Sequence, residues 1–188
     1  MSVKLLVKEH FTNSPLSEHF KKHARIYNVK SRLNTLNYYE TIEMRNFTST
    51  DMDACVDLYK DVFNADPWND VWKSRDQVRD YLEELIGNPV FVGFVVFDNS
   101  KIIAACLGHK RSWWAGREFF IDELFVSDEM QEKGIGTRLL EYVECNPLLG
   151  DCQRLILLTN RNMPAKEFYL KKGFNIKENR IMMGKNIS

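Results

Sequence analysis

Two glycines one residue apart, Gly134 and Gly136, stand where an apolar run ending at Val126 gives way to the amphipathic stretch 134–145. Glycine accepts positive φ and lets the main chain approach a ligand closely. The first N–H groups of a helix have no internal acceptor, and the helix dipole adds partial positive charge there. The segment Gln131-Glu132-Lys133-Gly134-Ile135-Gly136-Thr137 is therefore a candidate cradle for a pyrophosphate, with the Thr137 hydroxyl and the Lys133 charge at hand. A G-x-G alone is equally compatible with a plain tight turn. Leu139 occupies the place of the third glycine of a dinucleotide fingerprint, and there is no Walker A loop. Just upstream, Asp122 and Glu123 are adjacent in a strand pattern and offer carboxylates for proton transfer. Strand side chains alternate, so regular geometry turns only one of them to a given face, and a bulge would alter this.

Periodicity supplies the elements that position these residues. Residues 41–45 alternate polar and apolar, as a half-buried strand does. Met52, Cys55, Val56, Tyr59 and Phe63 form one helical stripe, with Thr50 as the expected cap and Asp53 three residues on. Ser74 and Gln77 make a capping box for a second helix, striped by Val78, Tyr81, Leu82, Leu85 and Ile86 and ended by Gly87. The turn-rich run 64–70 joins the two. Residues 91–97 and 102–109 read as a hairpin, and a strand over 118–126 is reached through a loop holding Trp113 and Trp114. Ile135, Leu139, Leu140 and Val143 mark one face of the helix that follows. The continuous apolar run 155–158 predicts a strand covered on both faces. Strand, crossover helix and strand imply a right-handed βαβ unit. A helix over about 163–172 and a closing segment, 174–183, complete the chain. The expected fold class is α+β: a mixed sheet whose antiparallel meander continues into a parallel βαβ unit, with helices on both faces. Residues 1–39 read as an N-terminal extension of illegible role, and residues 40–188 as the domain.

The bulk numbers exclude some functions. The 188 residues suit one domain, and 44% hydrophobic against 28% charged residues is globular composition. Lys plus Arg equals Asp plus Glu at 26 each, so no electrostatic argument points to nucleic acid or an anionic membrane. No apolar run nears the roughly 20 residues of a membrane span, and the N-terminus lacks a signal-peptide core. Cys55, Cys106, Cys145 and Cys152 are scattered without histidines at ligand spacing. Free thiols, no metal and a cytoplasmic location are the expectations.

Gln131-x-x-Gly134-x-Gly136 behind the strand Ile121–Val126 resembles the acetyl-CoA motif Q/R-x-x-G-x-G/A of the GNAT superfamily of N-acetyltransferases. Asn162-x-x-Ala165-x-x-Phe168-Tyr169-x-x-x-Gly173-Phe174 is similar to that family's second signature, N-x-x-A-x-x-F/L-Y-x-x-x-G-F. The resemblance covers about residues 41–184. It implies acetyl-CoA as acyl donor, threaded between the fourth and fifth strands. The main chain of Leu124, Phe125 and Val126 would pair with the pantetheine arm, residues 131–137 would hold the pyrophosphate, and Asn162 would bond to the arm. It further implies that Tyr169 protonates the departing thiolate, although a helical aromatic is equally at home in a core. An amine acceptor, small or peptidic, needs a proton taken from it, for which Asp122 and Glu123 are the candidates. The stretch 121–124 is similar to Ile-Asp-Gln-Phe/Leu of aminoglycoside 6′-acetyltransferases and Glu-Asp-Phe-Phe of diamine acetyltransferases, which puts Asp122 ahead of Glu123. Trp68, Trp72, Trp113 and Trp114 are candidates for an aromatic wall around a cationic acceptor, the core rim being the other reading. Homodimers are common in the family. The alternative function is a coenzyme A-binding module without catalysis.

Overall fold

A computed structural model describes residues 41–187; the N-terminal extension expected over 1–39 lies outside the described residues. Five strands form one sheet in the order β1 (Ile42–Asn46), β2 (Phe91–Asp98), β3 (Lys101–Trp113), β4 (Gly116–Val126) and β5 (Arg154–Leu157). Strands β2, β3 and β4 are antiparallel neighbours, and β4 pairs β5 in parallel. The connection from β4 to β5 runs through helix α3 (Ile135–Cys145). This is the expected mixed sheet, a meander continued by a βαβ unit.

Helices α1 (Met52–Asn64) and α2 (Arg75–Ile86) pack together against one face of the sheet. Their stripes place Val56, Tyr59, Phe63, Val78 and Leu82 against Val95, Ala105, Leu107 and Phe125. On the opposite face, Tyr142 of α3 meets Phe94, which in turn meets Phe119 edge-on at 6.1 Å. Ser74 caps α2 by accepting the Gln77 N–H at 3.0 Å, as its sequence predicts. The start of α1 differs from expectation. Thr48, not Thr50, is the capping position, and one 3-10 turn, Ser49–Asp51, precedes the helix. The reason is Asp51, whose buried carboxylate accepts the Thr48 N–H at 2.7 Å and the fork of Arg45 at 2.7 and 2.8 Å. Burial works against this carboxyl's ionisation, but the bonds from Arg45 and Thr48 outweigh it and hold its pKa below the ordinary range.

The run 155–158 is a correction to the sequence reading. It forms a half-buried edge strand rather than one covered on both faces, and Leu158 is 68% exposed. Leu157 and Leu158 serve as a cleft wall instead. The closing segment adds no strand; it leaves Ile181, Met182 and Met183 exposed. A fourth helix, α4 (Pro164–Lys171), has its first turn set by Pro164, which needs no N–H partner there.

Candidate active site

One inserted residue organises the site. Opposite β3, Leu107 pairs with Glu123 and Gly108 with Ile121, so Asp122 is an extra residue in β4, a β-bulge. Gly108 permits it: a Cβ there would lie 2.2 Å from the Phe120 carbonyl oxygen. The bulge reverses the alternation of the strand. Phe119 packs with Phe94 on the α3 side, whereas Phe125, an even number of residues on, packs with Tyr59 and Phe63 on the α1 side. As a result Asp122 and Glu123 both line a single cleft of ≈ 250 Å³, together with Tyr59, Asp70 and Tyr169.

The two carboxylates have different surroundings. Glu123 Oε1 accepts the Tyr81 hydroxyl at 2.5 Å and the Tyr59 hydroxyl at 3.2 Å. Burial pushes the Glu123 carboxyl up to about 7; the bonds from Tyr81 and Tyr59 pull against this, and the charges of Asp122 and Asp70 add to it. Burial also raises the pKa of both tyrosines, so they stay protonated donors. Asp122 Oδ2 lies 2.6 Å from His109 Nδ1, and the imidazole is stacked on Phe120 at 5.4 Å. The adjacent pair is therefore split: one carboxylate is bonded to a histidine, and the other is poised to exchange a proton near neutrality.

Pairing of β4 with β5 ends at Ile121 and Leu157. Past that point Leu124, Phe125 and Val126 keep β3 on one side and, among the described residues, have no strand on the other. The strand-to-helix turn follows directly. Gly134 is the helix cap with φ 78°, a left-handed value that a side chain would strain, and Glu132 has φ 59°. The Arg138 N–H reaches the Gly134 carbonyl at 3.1 Å, so the N–H groups of Ile135, Gly136 and Thr137 lie ahead of the first intrahelical bond. Gln131 latches the turn from behind, donating to the Val126 carbonyl at 3.2 Å and to Asp128 at 2.8 Å. The Lys133 ammonium lies 3.9 Å from the Met130 sulfur. Tyr169, 9% exposed, sits between Phe168 and Phe174 on α4 and borders the cleft; burial raises its pKa, so it holds its proton. Asn162 has its N–H on Asn160 Oδ1 at 3.1 Å and is exposed in the loop before α4.

A sequence model of the acetyltransferase (GNAT) family matches residues 52–174. The chain belongs to the GNAT family. Solved structures agree on the fold. An integron cassette protein from the mobile metagenome of V. cholerae is 16% identical, with a TM-score of 0.65 over 78% of this chain and 93% of that one. A possible acetyltransferase from Clostridium difficile 630 is 16% identical, with a TM-score of 0.65 over 79% and 99%. An aminoglycoside acetyltransferase from an uncultured soil metagenomic sample, solved with sisomicin, is 15% identical, with a TM-score of 0.63 over 79% and 98%. No curated protein matches the chain by sequence.

Within this GNAT domain the four tryptophans separate. Trp68 borders the cleft and packs on Phe63 at 5.4 Å. Trp72 does not reach the cleft; it stands behind the wall, against Tyr59 and Tyr81. Trp113 and Trp114 fall at the far tip of the β3–β4 hairpin, outside the cleft, because β3 runs on four residues beyond the expected His109. Sequence reasoning missed Tyr59 and Asp70 as lining of the cleft, and Tyr81 and His109 as partners of its two carboxylates. Tyr59 and Tyr81 were visible only as stripe positions, which a ring fills whether or not its hydroxyl has a task.

Proposed function

We propose that the chain transfers the acetyl group of acetyl-CoA to a primary amine by direct attack in a ternary complex. The observation that carries this reading is the Glu123 carboxylate, held by two tyrosines in the cleft beside the stretch of β4 that β5 leaves unpaired. The pantetheine arm pairs with Leu124–Val126 as an added strand, and the diphosphate lies on the N–H groups of the 134–137 turn, with Lys133 and Thr137 beside it. The residues present fit that donor: a strand edge past the end of the β5 pairing, then a helix start with a left-handed glycine cap.

Glu123 takes the proton of the acceptor ammonium, because its pKa of about 7 makes it a workable base at neutral pH, which an ordinary carboxylate is not. The amine nitrogen bonds to the thioester carbon while a main-chain N–H on the β4 edge stabilises the developing oxyanion. The C–S bond then breaks, Tyr169 donates its proton to the leaving sulfur, and the nitrogen gives its second proton to solvent to leave the neutral amide. Solvent returns a proton to Tyr169 and removes the one on Glu123. This assigns the base to Glu123 rather than Asp122, whose nearest partner is His109.

Thiol release from acetyl-CoA with a panel of amines tests the proposal, alongside titration calorimetry with acetyl-CoA. Amine-dependent release is the expected result. Binding heat without release from any amine would make the domain a coenzyme A-binding module, and absence of both would remove the donor as well.

A further inference from the structure

The cleft carries charge of one sign. Asp70, Asp122 and Glu123 line it, and no lysine, arginine or histidine does so among the described residues. The three carboxylates are not equivalent. Glu123 is clamped by Tyr59 and Tyr81, and Asp122 is paired with His109. Asp70 is exposed and, among the described residues, has no side-chain hydrogen bond or ion pair. Its backbone is nonetheless fixed. The Asp70 N–H donates to the Phe63 carbonyl at 2.8 Å, and its own carbonyl accepts the Trp72 N–H at 3.1 Å. Asn64 closes the same loop through both its amide atoms to the Trp72 backbone, at 3.2 and 3.3 Å. The charge of Asp70 acts on both Tyr59 and Glu123, so it belongs to the same enclosure, carried on the loop after α1. The rings of Tyr59, Phe63 and Trp68 line the same cleft, surfaces that favour a cation.

A single ammonium loses its charge when it reacts at Glu123, and nothing in the reaction then needs a further carboxylate in the cleft. A carboxylate mounted on a hydrogen-bonded loop beside the base has a use if the acceptor keeps another positive charge throughout. We propose that the acceptor is an amine with a second cationic nitrogen and no carboxylate, and that Asp70 binds this second nitrogen. The inference rests on the acetyl-transfer reading and deepens it. An amino acid acceptor fits poorly, since its carboxylate would enter an enclosure lined by three carboxyl groups and by no lysine, arginine or histidine.

The test is thiol release by the full chain at saturating acetyl-CoA, using α,ω-diamines of three to six carbons and the matched alkyl monoamines. The wild type is expected to favour the best diamine by about tenfold or more in kcat/KM, the size of a charge-assisted contact. D70N should collapse that ratio toward unity, mainly through the KM of the diamine, and D70E should restore part of it. A merely structural Asp70 would alter both amines alike. Equal use of diamines and monoamines by the wild type, or an unchanged ratio in D70N, overturns the inference and leaves acetyl transfer standing. Release from no amine at all overturns the acetyl-transfer reading itself.

Discussion

If Glu123 is the base, the acid limb of the pH–rate profile belongs to it, and its neighbours must move that limb in directions fixed by the structure. The carboxyl is displaced from an ordinary 4.5 to about 7, which at 1.36 kcal/mol per unit is roughly 3 kcal/mol held against ionisation. The Tyr81 hydroxyl donates to the charged form at 2.5 Å. A hydrogen bond to a charged group contributes about 1.5–3 kcal/mol, so Tyr81→Phe should raise the limb by about one to two pH units. Tyr59→Phe, losing a bond of 3.2 Å, should raise it less. Asp122→Asn removes a like charge and should lower it. Glu123→Gln should erase the limb and cost about 10²–10⁴ in kcat/KM.

The assay is kcat/KM for one amine acceptor from pH 5 to 10 at saturating acetyl-CoA. The acceptor's own ionisation contributes the falling limb at high pH, because the ammonium is the form that Glu123 deprotonates, and that limb is the same with every variant. A limb that shifts upward in Y81F and downward in D122N is therefore the enzyme's. If Glu123→Gln kept the wild-type limb, or if Y81F shifted it downward, the assignment of the base and the account of its pKa would both fail.

Replacing Tyr169 by Phe should lower kcat by about 10²-fold or more while the acetyl-CoA dissociation constant stays within about twofold, measured by stopped-flow and calorimetry. Gly108→Ala places a methyl 2.2 Å from the Phe120 carbonyl oxygen and 2.8 Å from the Phe119 ring; it should cost about 2 kcal/mol or more and lower the thermal midpoint by several degrees. An unaltered midpoint would mean that the bulge does not depend on this glycine. Glu123 also predicts a pH dependence of stability. Its folded pKa lies above the unfolded one, so between about 4.5 and 7 the folded state holds more protons, and stability should fall as pH rises through that window. Chemical denaturation at pH 5 and pH 7.5 should show this difference in the wild type and a smaller one in E123Q.

What was legible in the sequence is what is local. The Ser74 cap, the β2–β3 hairpin and the glycine turn each depend on residues a few positions apart, and each lies where the spacing puts it. The cap ahead of α1 was misplaced by two residues because Thr48 and Thr50 look alike until Arg45, from the preceding strand, takes hold of Asp51. The tyrosines were legible as helix faces but not as donors, since their hydroxyls bond to a strand 64 and 42 residues away.

The bulge at Asp122 was hidden for a more instructive reason. A parity reversal shows in sequence only when one face of a strand is polar. Here Phe119, Phe120, Ile121, Leu124 and Phe125 put apolar residues on both parities, because β4 is central and has helices on either side. The alternation that would betray an extra residue is therefore erased, and Gly108, the residue that admits the bulge, stands in another strand. Yet the same insertion turns both carboxylates to one cleft and coincides with the end of β5 pairing. A single added residue thus sets the pair of cleft carboxylates and the stretch of β4 past the β5 pairing together, so a variant that removed it should lose both at once.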